Sequence, residues 1–541
     1  MSEAPARPSA GVTKLGPWIA LTLAGLLAAT LILHVGRGTT WFFDEWDWIL
    51  HRRTGGVDDL LANHNGHLIA LPLLAYKATW ATVGLHGYDA LRVLTVMVHL
   101  ATCVVLFLLL RRRIWVWLAL GAAIAVMFLG SAWQDLLWPS QLQYFGSMLG
   151  GLTALLLVER GDRAGDVGAT LSLLVALACS GIGLPFLGAI GLELLLQRRT
   201  WRRLWVVLLP AAAYVLWYLN YGSSQAKSSN VHLVAGYVER AAASATGALL
   251  GRDSGAGHWL LGAVGIVVVV TLAVRRSISP RMAALLALPL SFWILTALSR
   301  ADSNEPGASR YLYPGAIFIL LVLAQLVDDP SWPRTDRGRA VAATVAVGLL
   351  LVSLVGNVDQ LRDGGAQLRS VSDYVQAELR AVELARGRVR SDFRPDTARA
   401  PQVTAGAFLS AVDALGSPAY SVARVRQAPE SVRIAADRVL LDALGVRSQR
   451  AVAADGCTAV PAEGGEASKD LSAEAVNLVI VAGDDHVDVS VRNLAAAYEA
   501  PPFVTVAPGT TRRIDLPAVA SGPWSIHLAS SSGFSTCGSG S

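Results

Sequence analysis

The amino-acid sequence predicts a polytopic α-helical membrane protein with a C-terminal, β-sandwich-like domain outside the membrane. The 541-residue chain is 53% hydrophobic and only 16% charged, with a mean hydropathy of +0.46. Apolar runs of about 20 residues, enough for a helix to cross a bilayer core of about 30 Å, recur through residues 17–356. Near the C-terminus, short alternating segments are separated by Gly, Pro, Asp and Ser, a pattern typical of strands and turns.

About eleven of these runs are predicted to form transmembrane helices in a domain covering residues 17–356. The first run is longer than a signal-peptide core and ends without a small-residue cleavage site, which favours a retained span over a cleaved signal. Gly and Pro in "CSGIGLP" leave two interpretations of residues 168–197, either two short helices or one kinked helix. The runs lie near residues 17–36, 88–110, 114–131, 139–158, 168–180, 182–197, 203–221, 258–274, 281–299, 310–327 and 339–356.

Arginine clusters occupy every second connection between these runs. They are "RRR" at 111–113, "ERGDR" at 159–163, "QRRTWRR" at 197–203, "RRSISPR" at 275–281 and "PRTDRGR" at 333–339. Because cytoplasmic loops are enriched in Arg and Lys, the alternation predicts a multi-pass plasma-membrane protein with residues 1–16 in the cytoplasm. It also favours two spans in 168–197. The positive residues behind the net charge of +5 are then explained by the orientation of the chain in a lipid bilayer. No nucleic-acid partner is expected.

The residues after the last run are predicted to lie outside the cytoplasm. Residues 357–395 have the pattern of an amphipathic helical connector, and residues 396–541 form a domain that is mainly β. Cys457 and Cys537 flank its strands and are either a disulfide or two free thiols. Trp524 and Tyr498 look exposed, so carbohydrate binding by this domain is an alternative to a plain packing role.

The first external loop, residues 37–87, opens with "TTWFFDEWDWILHRR", which holds three acids: Asp44, Glu45 and Asp47. In a short helix, Asp44, Asp47 and His51 would share one face, while Trp46, Ile49 and Leu50 would face the membrane. A carboxylate partly shielded from water has a raised proton affinity, which suits a general base that takes the proton of an acceptor hydroxyl.

The same loop contains "NHNGH", in which Gly66 permits a turn between His64 and His67. These imidazoles are candidates for catalysis or substrate binding, although a helix cap or a hydrogen bond to lipid phosphate explains them as well. No cofactor is certain from the sequence. If a divalent cation binds, Asp44, Asp47, His64 and His67 are its candidate ligands, but their spacing matches no closed zinc signature.

The order of these features resembles the GT-C superfamily of membrane glycosyltransferases. A retained first span is followed by an external loop with the acidic pair Asp44-Glu45 in "FFDEWD", about ten more spans and an external C-terminal domain. The superfamily includes protein O-mannosyltransferases, aminoarabinose lipid A transferases and arabinofuranosyltransferases of mycobacterial cell walls. The resemblance implies a polyprenyl-phosphate sugar donor and an inverting transfer with Asp44 as the base. Glu45 and Asp47 are alternates, since "DEWD" offers three acids.

The resemblance also implies a basic residue on a late external loop that binds the phosphate of the donor. Arg310 with Tyr311 in "GASRYLYPG" fits that element, although Arg and Tyr also anchor helices at membrane interfaces. Further candidates for binding the donor phosphate or the substrate are His64, His67, Arg92, Lys227, His258 and Gln141. Gln141, with Tyr144 one turn later, could bind a sugar or a neighbouring helix.

The leading functional hypothesis is therefore transfer of a sugar from a polyprenyl-phosphate donor to a cell-envelope glycan, glycolipid or protein. Abundant Ala, Val, Gly and Arg with scarce Lys is compatible with an actinobacterial envelope. A transporter or flippase of a lipid-linked glycan is the first alternative, but it predicts ionisable residues at mid-membrane, and the apolar runs contain almost none. A noncatalytic envelope scaffold is the second, and it leaves the acids at 44–47 unexplained.

Overall fold

The computed structural model describes residues 12–197, 201–452, 456–498 and 501–538. Most of the predicted N-terminal segment 1–16, and Arg198 and Arg199 of one arginine cluster, lie outside these residues. Internal contacts divide the chain into two compact units. Unit 1 comprises residues up to Arg37, Arg52–Thr82 and Gly87–Leu368, and unit 2 comprises Gly38–His51, Val83–His86 and the chain from Arg369 onward. The start of the first external loop thus packs with the C-terminal residues.

The helices account for nearly all of unit 1 and for the first part of unit 2. In chain order they are α1 (Val12–Val35), α2 (Asp44–His51), α3 (Val57–Leu61), α4 (Ala70–Val83), α5 (Tyr88–Leu110), α6 (Val116–Met127), α7 (Trp133–Leu137), α8 (Leu142–Val158), α9 (Arg163–Cys179), α10 (Gly183–Leu196), α11 (Trp205–Tyr221), α12 (Val234–Ala248), α13 (Ser254–Arg275), α14 (Pro280–Arg300), α15 (Ser309–Val327), α16 (Asp336–Leu384), α17 (Ala405–Leu415), α18 (Val422–Gln427) and α19 (Glu430–Ala443).

Nine helical stretches among the described residues are long and apolar enough to cross a membrane. Each of the eleven predicted runs contains a helix, but α9, with 17 residues, and α10, with 14, are not among these nine stretches. The chain breaks between them because Ser180 is fully extended. Gly183 then lies so close to the preceding turn that a β-carbon there would come within 2.8 Å of the backbone nitrogen of Leu177. The membrane-protein class is thus supported by length and composition.

Helices α9 and α10 form a hairpin whose two free ends lie at the same end of unit 1. Arg203 pairs with Asp166 in the first turn of α9 at 2.6 Å and donates to the carbonyl oxygen of Val158 at 2.7 Å. Arg281 pairs with Glu193, near the end of α10, at 2.7 Å and with Glu159 at 2.9 Å. The chain therefore runs away from this end along α9, reverses direction at Ser180 and returns along α10, as two membrane-crossing helices require.

The described arginine clusters gather at that same end. Arg113 pairs with Glu159 at 2.7 Å and with Asp328 at 2.9 Å, and Arg275 donates to the carbonyl oxygen of Leu326. Such convergence is what alternating loops require if they share one side of a bundle. We call this end of unit 1 the arginine-rich end. Its contacts link the loops after α5, α8, α10, α13 and α15.

Helix α16 has 49 residues and is about 74 Å long at 1.5 Å per residue, more than twice the thickness of a bilayer core. Its first half exposes the apolar residues expected of a span, whereas the residues from Arg369 onward belong to unit 2. The predicted span at 339–356 and most of the predicted connector are therefore one uninterrupted helix.

Unit 2 ends in two antiparallel sheets, which accounts for the predicted β-rich C-terminus. The strand orders are β1-β7-β4-β9-β2 and β3-β8-β5-β6. Alternate residues on the central strands are buried, as on a sheet with one apolar face. The strands are β1 (Gln449–Arg450), β2 (Thr458–Val460), β3 (Ala467–Ala473), β4 (Val476–Val481), β5 (Val487–Arg492), β6 (Val504–Val506), β7 (Thr511–Leu516), β8 (Trp524–Ser530) and β9 (Phe534–Cys537).

Trp524 is not the exposed carbohydrate-binding residue that the sequence suggested. Its side chain is 0% exposed, and its indole N–H donates to the carbonyl oxygen of Pro517 at 2.7 Å. It begins β8 with its side chain on the apolar face, where alternation places it with Ile526 and Leu528. Tyr498 is half-buried and stacks on His527 at 4.9 Å between ring centroids.

Cys457 and Cys537 form a disulfide that closes 80 residues of chain around the strands. Because the crosslink restricts the unfolded chain, replacing both cysteines with serine should destabilise unit 2 by about 2–5 kcal/mol. Thermal unfolding of the detergent-solubilised protein, followed by circular dichroism in the β region, measures the loss. Replacing Cys103 and Cys179, which are buried free cysteines in α5 and α9, provides a control that leaves the β signal unchanged. Equal β-domain stability with and without the disulfide would contradict the prediction.

Candidate functional site

The acids of the first external loop lie on α2, within unit 2. Glu45 is 0% exposed, and its carboxylate accepts the backbone N–H of Phe42 at 2.8 Å, so it caps the start of the helix. Trp46 and Trp48 are also 0% exposed, and Trp46 packs edge-on against Phe408 of α17. The prediction that this aromatic face contacts lipid is therefore wrong. Sequence hydrophobicity does not distinguish burial in lipid from burial in protein.

Asp44 and Asp47 are half-buried and lie one turn apart on the same face of α2. His51 Nδ1 lies 3.1 Å from an oxygen of Asp47, so Asp47 is engaged with the end of its own helix. Phe43, directly before Asp44, has a φ of 44°, a left-handed conformation that costs a bulky residue free energy. Strained backbone of this kind clusters at functional sites. In this helix the strained residue lies immediately before Asp44.

The "NHNGH" segment forms a tight two-residue hairpin turn in unit 1. The backbones of His64 and His67 exchange hydrogen bonds of 2.9 and 3.0 Å, while Asn65 and Gly66 both have positive φ. Asn-Gly is the preferred pair for such a type I′ turn. Arg300, at the end of α14, donates to the carbonyl oxygen of Asn65 at 3.0 Å. The turn thereby holds a guanidinium group beside the two imidazoles.

Burial, the Arg300 guanidinium and the neighbouring His64 lower the pKa of His67 to about 4. Between pH 6.5 and about 4, the unfolded chain binds a proton on His67 that the folded protein does not. Stability is therefore lost as the pH falls through this range. Lowering the pH from 7 to 5 should reduce the free energy of unfolding of the wild type by about 1 kcal/mol more than that of a His67→Gln variant. This value allows for the partial exposure of the His67 side chain. Thermal unfolding at both pH values measures the difference, and parallel losses would contradict it.

A second group of polar side chains lies at the opposite end of unit 1 from the arginine-rich end. Its tyrosine hydroxyls, carboxylate and guanidinium groups are near enough to interact electrostatically. Two of its residues, Arg310 and Tyr311, open α15, and Arg300 ends α14. We call this group the polar cluster. It consists of Asp135, Tyr144, Tyr237, Arg300, Arg310 and Tyr311.

Arg310 is the best-placed basic residue of the polar cluster. It is half-buried, its guanidinium carbon lies 5.2 Å from the ring centroid of Tyr311, and it donates to Asn304. Tyr237 of α12 is 2% exposed, and its hydroxyl has no hydrogen-bond partner among the described residues. The residues that define the cluster include two guanidinium groups and a single carboxylate, and this excess of positive charge suits an anion.

Asp135 supplies that carboxylate, and the sequence interpretation missed it. It lies on the short helix α7, within the broken segment 128–141 between α6 and α8. Gly130 allows this segment to approach α16, because a β-carbon there would lie 1.7 Å from the carbonyl oxygen of Asn357. Asn357 in turn accepts hydrogen bonds from the backbone and hydroxyl of Ser131 at 2.9 and 2.8 Å. The one available signal was that Asp135 is the only acid in residues 90–158.

The other predicted ligands are held by protein groups. Arg92 pairs with Asp89 at 2.6 Å and donates to the carbonyl oxygen of Leu33, where it caps the end of α1. Lys227 pairs with Asp302 at 2.5 Å, and Nε2 of His258 lies 2.8 Å from Glu239. Gln141, by contrast, is 2% exposed and ends a short 3₁₀ helix, Pro139–Gln141, that comes after α7.

No metal centre is formed by the side chains that the structure describes. No three of their His, Cys, Asp and Glu residues are grouped as a cation would require. The candidate ligand set of Asp44, Asp47, His64 and His67 is therefore not assembled by these residues. Asp47 and His51 contact each other, as do His64 and Asn65, and these local hydrogen bonds account for the imidazoles concerned.

Comparison with models of known protein families and with curated proteins finds no match to this chain.

Proposed function

We propose that the protein is a membrane glycosyltransferase that moves a sugar from a polyprenyl-phosphate donor to an acceptor on the extracytoplasmic side. The polar cluster is the observation that supports it best. A phosphodiester drawn into a membrane protein needs guanidinium groups to compensate its charge, and Arg310 and Arg300 supply two of them. Their position opposite the arginine-rich end agrees with use of the donor on the outer face.

In this proposal Arg310 binds the phosphate of the donor, and Asp44 takes the proton of the acceptor hydroxyl. The acceptor oxygen attacks the anomeric carbon, the bond from that carbon to the phosphate oxygen breaks, and polyprenyl phosphate leaves with the electron pair. The configuration at the anomeric carbon inverts in such a single displacement. The strained backbone at Phe43, directly before Asp44, together with its half-buried state, favours Asp44 as the base.

A transporter is the second candidate, because an ionisable residue lies midway along α5. His99 is 0% exposed in α5. Both of its ring nitrogens are engaged, however, with Tyr313 Oη at 3.0 Å and with the carbonyl oxygen of Met127 at 3.2 Å. Met127 ends α6, so His99 satisfies a carbonyl that this short helix leaves unpaired. A structural hydrogen bond thus accounts for His99 without a transport pathway.

The test uses purified protein in liposomes loaded with polyprenyl-phosphate esters of radiolabelled hexoses and pentoses, together with a cell-envelope acceptor fraction. A glycosyltransferase moves the label to the acceptor and leaves free polyprenyl phosphate. A transporter moves the intact lipid between leaflets and cleaves nothing. Movement of the intact lipid without label transfer would overturn the proposal in favour of the transporter, and neither reaction would contradict both.

A further inference from the structure

We propose that Asp135 recognises the sugar of the donor, and that its carboxylate accepts hydrogen bonds from the sugar hydroxyls beside the phosphate bound to Arg310. The inference rests on the proposed function and adds to it the residue that distinguishes a glycosylated lipid phosphate from a bare one.

The carboxylate of Asp135 has no protein partner among the described residues. The side chain is 0% exposed, and neither of its oxygens receives a hydrogen bond. A buried carboxylate left in this state is unfavourable, so such groups are ordinarily bonded to protein, water or ligand. Its interaction with Arg310 offsets part of the charge but provides no hydrogen bond.

The contacts around Asp135 fix its position beside Arg310. The backbone N–H of Gln134 donates to the hydroxyl of Ser309 at 3.1 Å, and that hydroxyl donates to the carbonyl oxygen of Ser131 at 2.8 Å. These bonds join the broken segment to the first residue of α15. Because Asp135 follows Gln134 and Arg310 follows Ser309, these contacts bring the two backbones close, and the carboxylate and the guanidinium interact electrostatically.

Unpartnered acceptors outnumber donors near Asp135. The side-chain amide oxygens of Gln134 and Gln141 are buried without hydrogen-bond partners, as are both oxygens of Asp135. Assignment of oxygen and nitrogen in these amides can be exchanged, whereas the carboxylate in its ionised form can only accept. The ligand that satisfies this region must therefore bring several hydrogen-bond donors.

Charge selects among such ligands. The guanidinium group of Arg310 disfavours a cation at Asp135, and the carboxylate itself disfavours an anion. A neutral group with several hydroxyls meets both constraints. A sugar has this chemistry, and in the proposed donor it is joined directly to the phosphate. Asp135 would then bind the sugar while Arg310 binds the phosphate.

The experiment compares two probes on the full-length protein in detergent: farnesyl phosphate, and its esters with glucose, mannose and arabinose. The wild type is expected to bind farnesyl phosphate and to bind at least one ester more tightly. In Asp135→Asn, affinity for farnesyl phosphate should be kept or increased, since a negative charge near the phosphate is removed. The preference for the ester should fall by about 10-fold or more.

Three further variants make the result interpretable. Asp363→Asn changes the charge of an exposed residue of α16 and should leave both affinities unaltered. Gln141→Met removes a second unpartnered acceptor at similar length and should lower the same preference, which keeps the test usable if Asp135→Asn does not fold. Arg310→Gln should weaken both probes together.

The outcomes separate the two proposals. If the wild type binds neither probe, the donor proposed for this protein is wrong and the inference fails with it. If the wild type binds both but Asp135→Asn and Gln141→Met keep its preference, only the role of Asp135 is overturned. A parallel loss of both affinities in Asp135→Asn would overturn it too, because a purely structural counter-ion of Arg310 behaves in that way.

Discussion

Replacing Asp44 with asparagine should lower the rate of sugar transfer by about 10²–10⁴-fold, the usual contribution of a general base. Asparagine keeps the size of the side chain, but it cannot take the proton of an acceptor hydroxyl. The loss should fall on kcat, with the KM for the donor within a few-fold of the wild type, because Arg310 is unaltered. Initial rates with labelled polyprenyl-phosphate sugar, measured at several donor concentrations, give both constants.

Asp47→Asn is the matched control for this prediction. It removes the same charge from the same helix face, one turn away, at a carboxylate that contacts His51. Its rate should remain within a few-fold of the wild type. Glu45→Gln is a poorer control because Glu45 is buried and caps α2, so it reports on folding. Normal turnover by Asp44→Asn would remove Asp44 as the base, and a selective loss in Asp47→Asn would transfer that role to Asp47.

Replacing Arg281 with methionine should destabilise the detergent-solubilised protein by about 3–5 kcal/mol, the range for breaking a buried ion pair from one side. Arg281 is 8% exposed and bonds to both Glu159 and Glu193. Glu159 keeps Arg112 and Arg113, but Glu193 loses its guanidinium partner within a buried helix face. Thermal unfolding followed by circular dichroism measures the change.

Arg334→Met provides the control, since that side chain is 74% exposed in its pair with Asp329 and should contribute about 1 kcal/mol or less. Adding Glu193→Gln to Arg281→Met should restore part of the lost stability, because the buried carboxylate left without Arg281 becomes a neutral amide. Equal losses in Arg281→Met and Arg334→Met, or no rescue by the second substitution, would show that Glu193 does not depend on Arg281.

The helical runs could be predicted from sequence because length and composition alone determine them. The turn at Asn65 and Gly66 was equally accessible, since its geometry follows from two adjacent residues. The polar cluster was only partly accessible. Arg310 was identified through a resemblance, whereas Asp135 depends on contacts such as Gln134 with Ser309, which join residues 175 positions apart. No local pattern encodes a contact at that separation.

The buried face of α2 shows a different limit. Trp46 and Trp48 have the composition of an interfacial belt, yet both are buried in protein. Burial of apolar side chains in lipid and burial in a protein core are both favourable. The spacing of apolar residues therefore predicts that a helix face is shielded from water, but it does not predict whether lipid or protein shields it. His99 shows the opposite case. It is an ionisable residue within an apolar run, yet it makes a structural hydrogen bond to the end of a neighbouring helix.

The hairpin of α9 and α10 has a consequence for the lipid around it. Helix α10 rises only about 21 Å, roughly 9 Å less than a typical hydrocarbon core, and a bilayer meets such hydrophobic mismatch by thinning locally. Thinning brings headgroups and water toward the reversal at Ser180. The ring of His67 lies against Gly181 there, so close that a β-carbon on the glycine would come within 2.5 Å of Nδ1. A short helix would thus allow polar lipid headgroups to reach the reversal at Ser180, at a depth where a full-length helix would be surrounded by hydrocarbon.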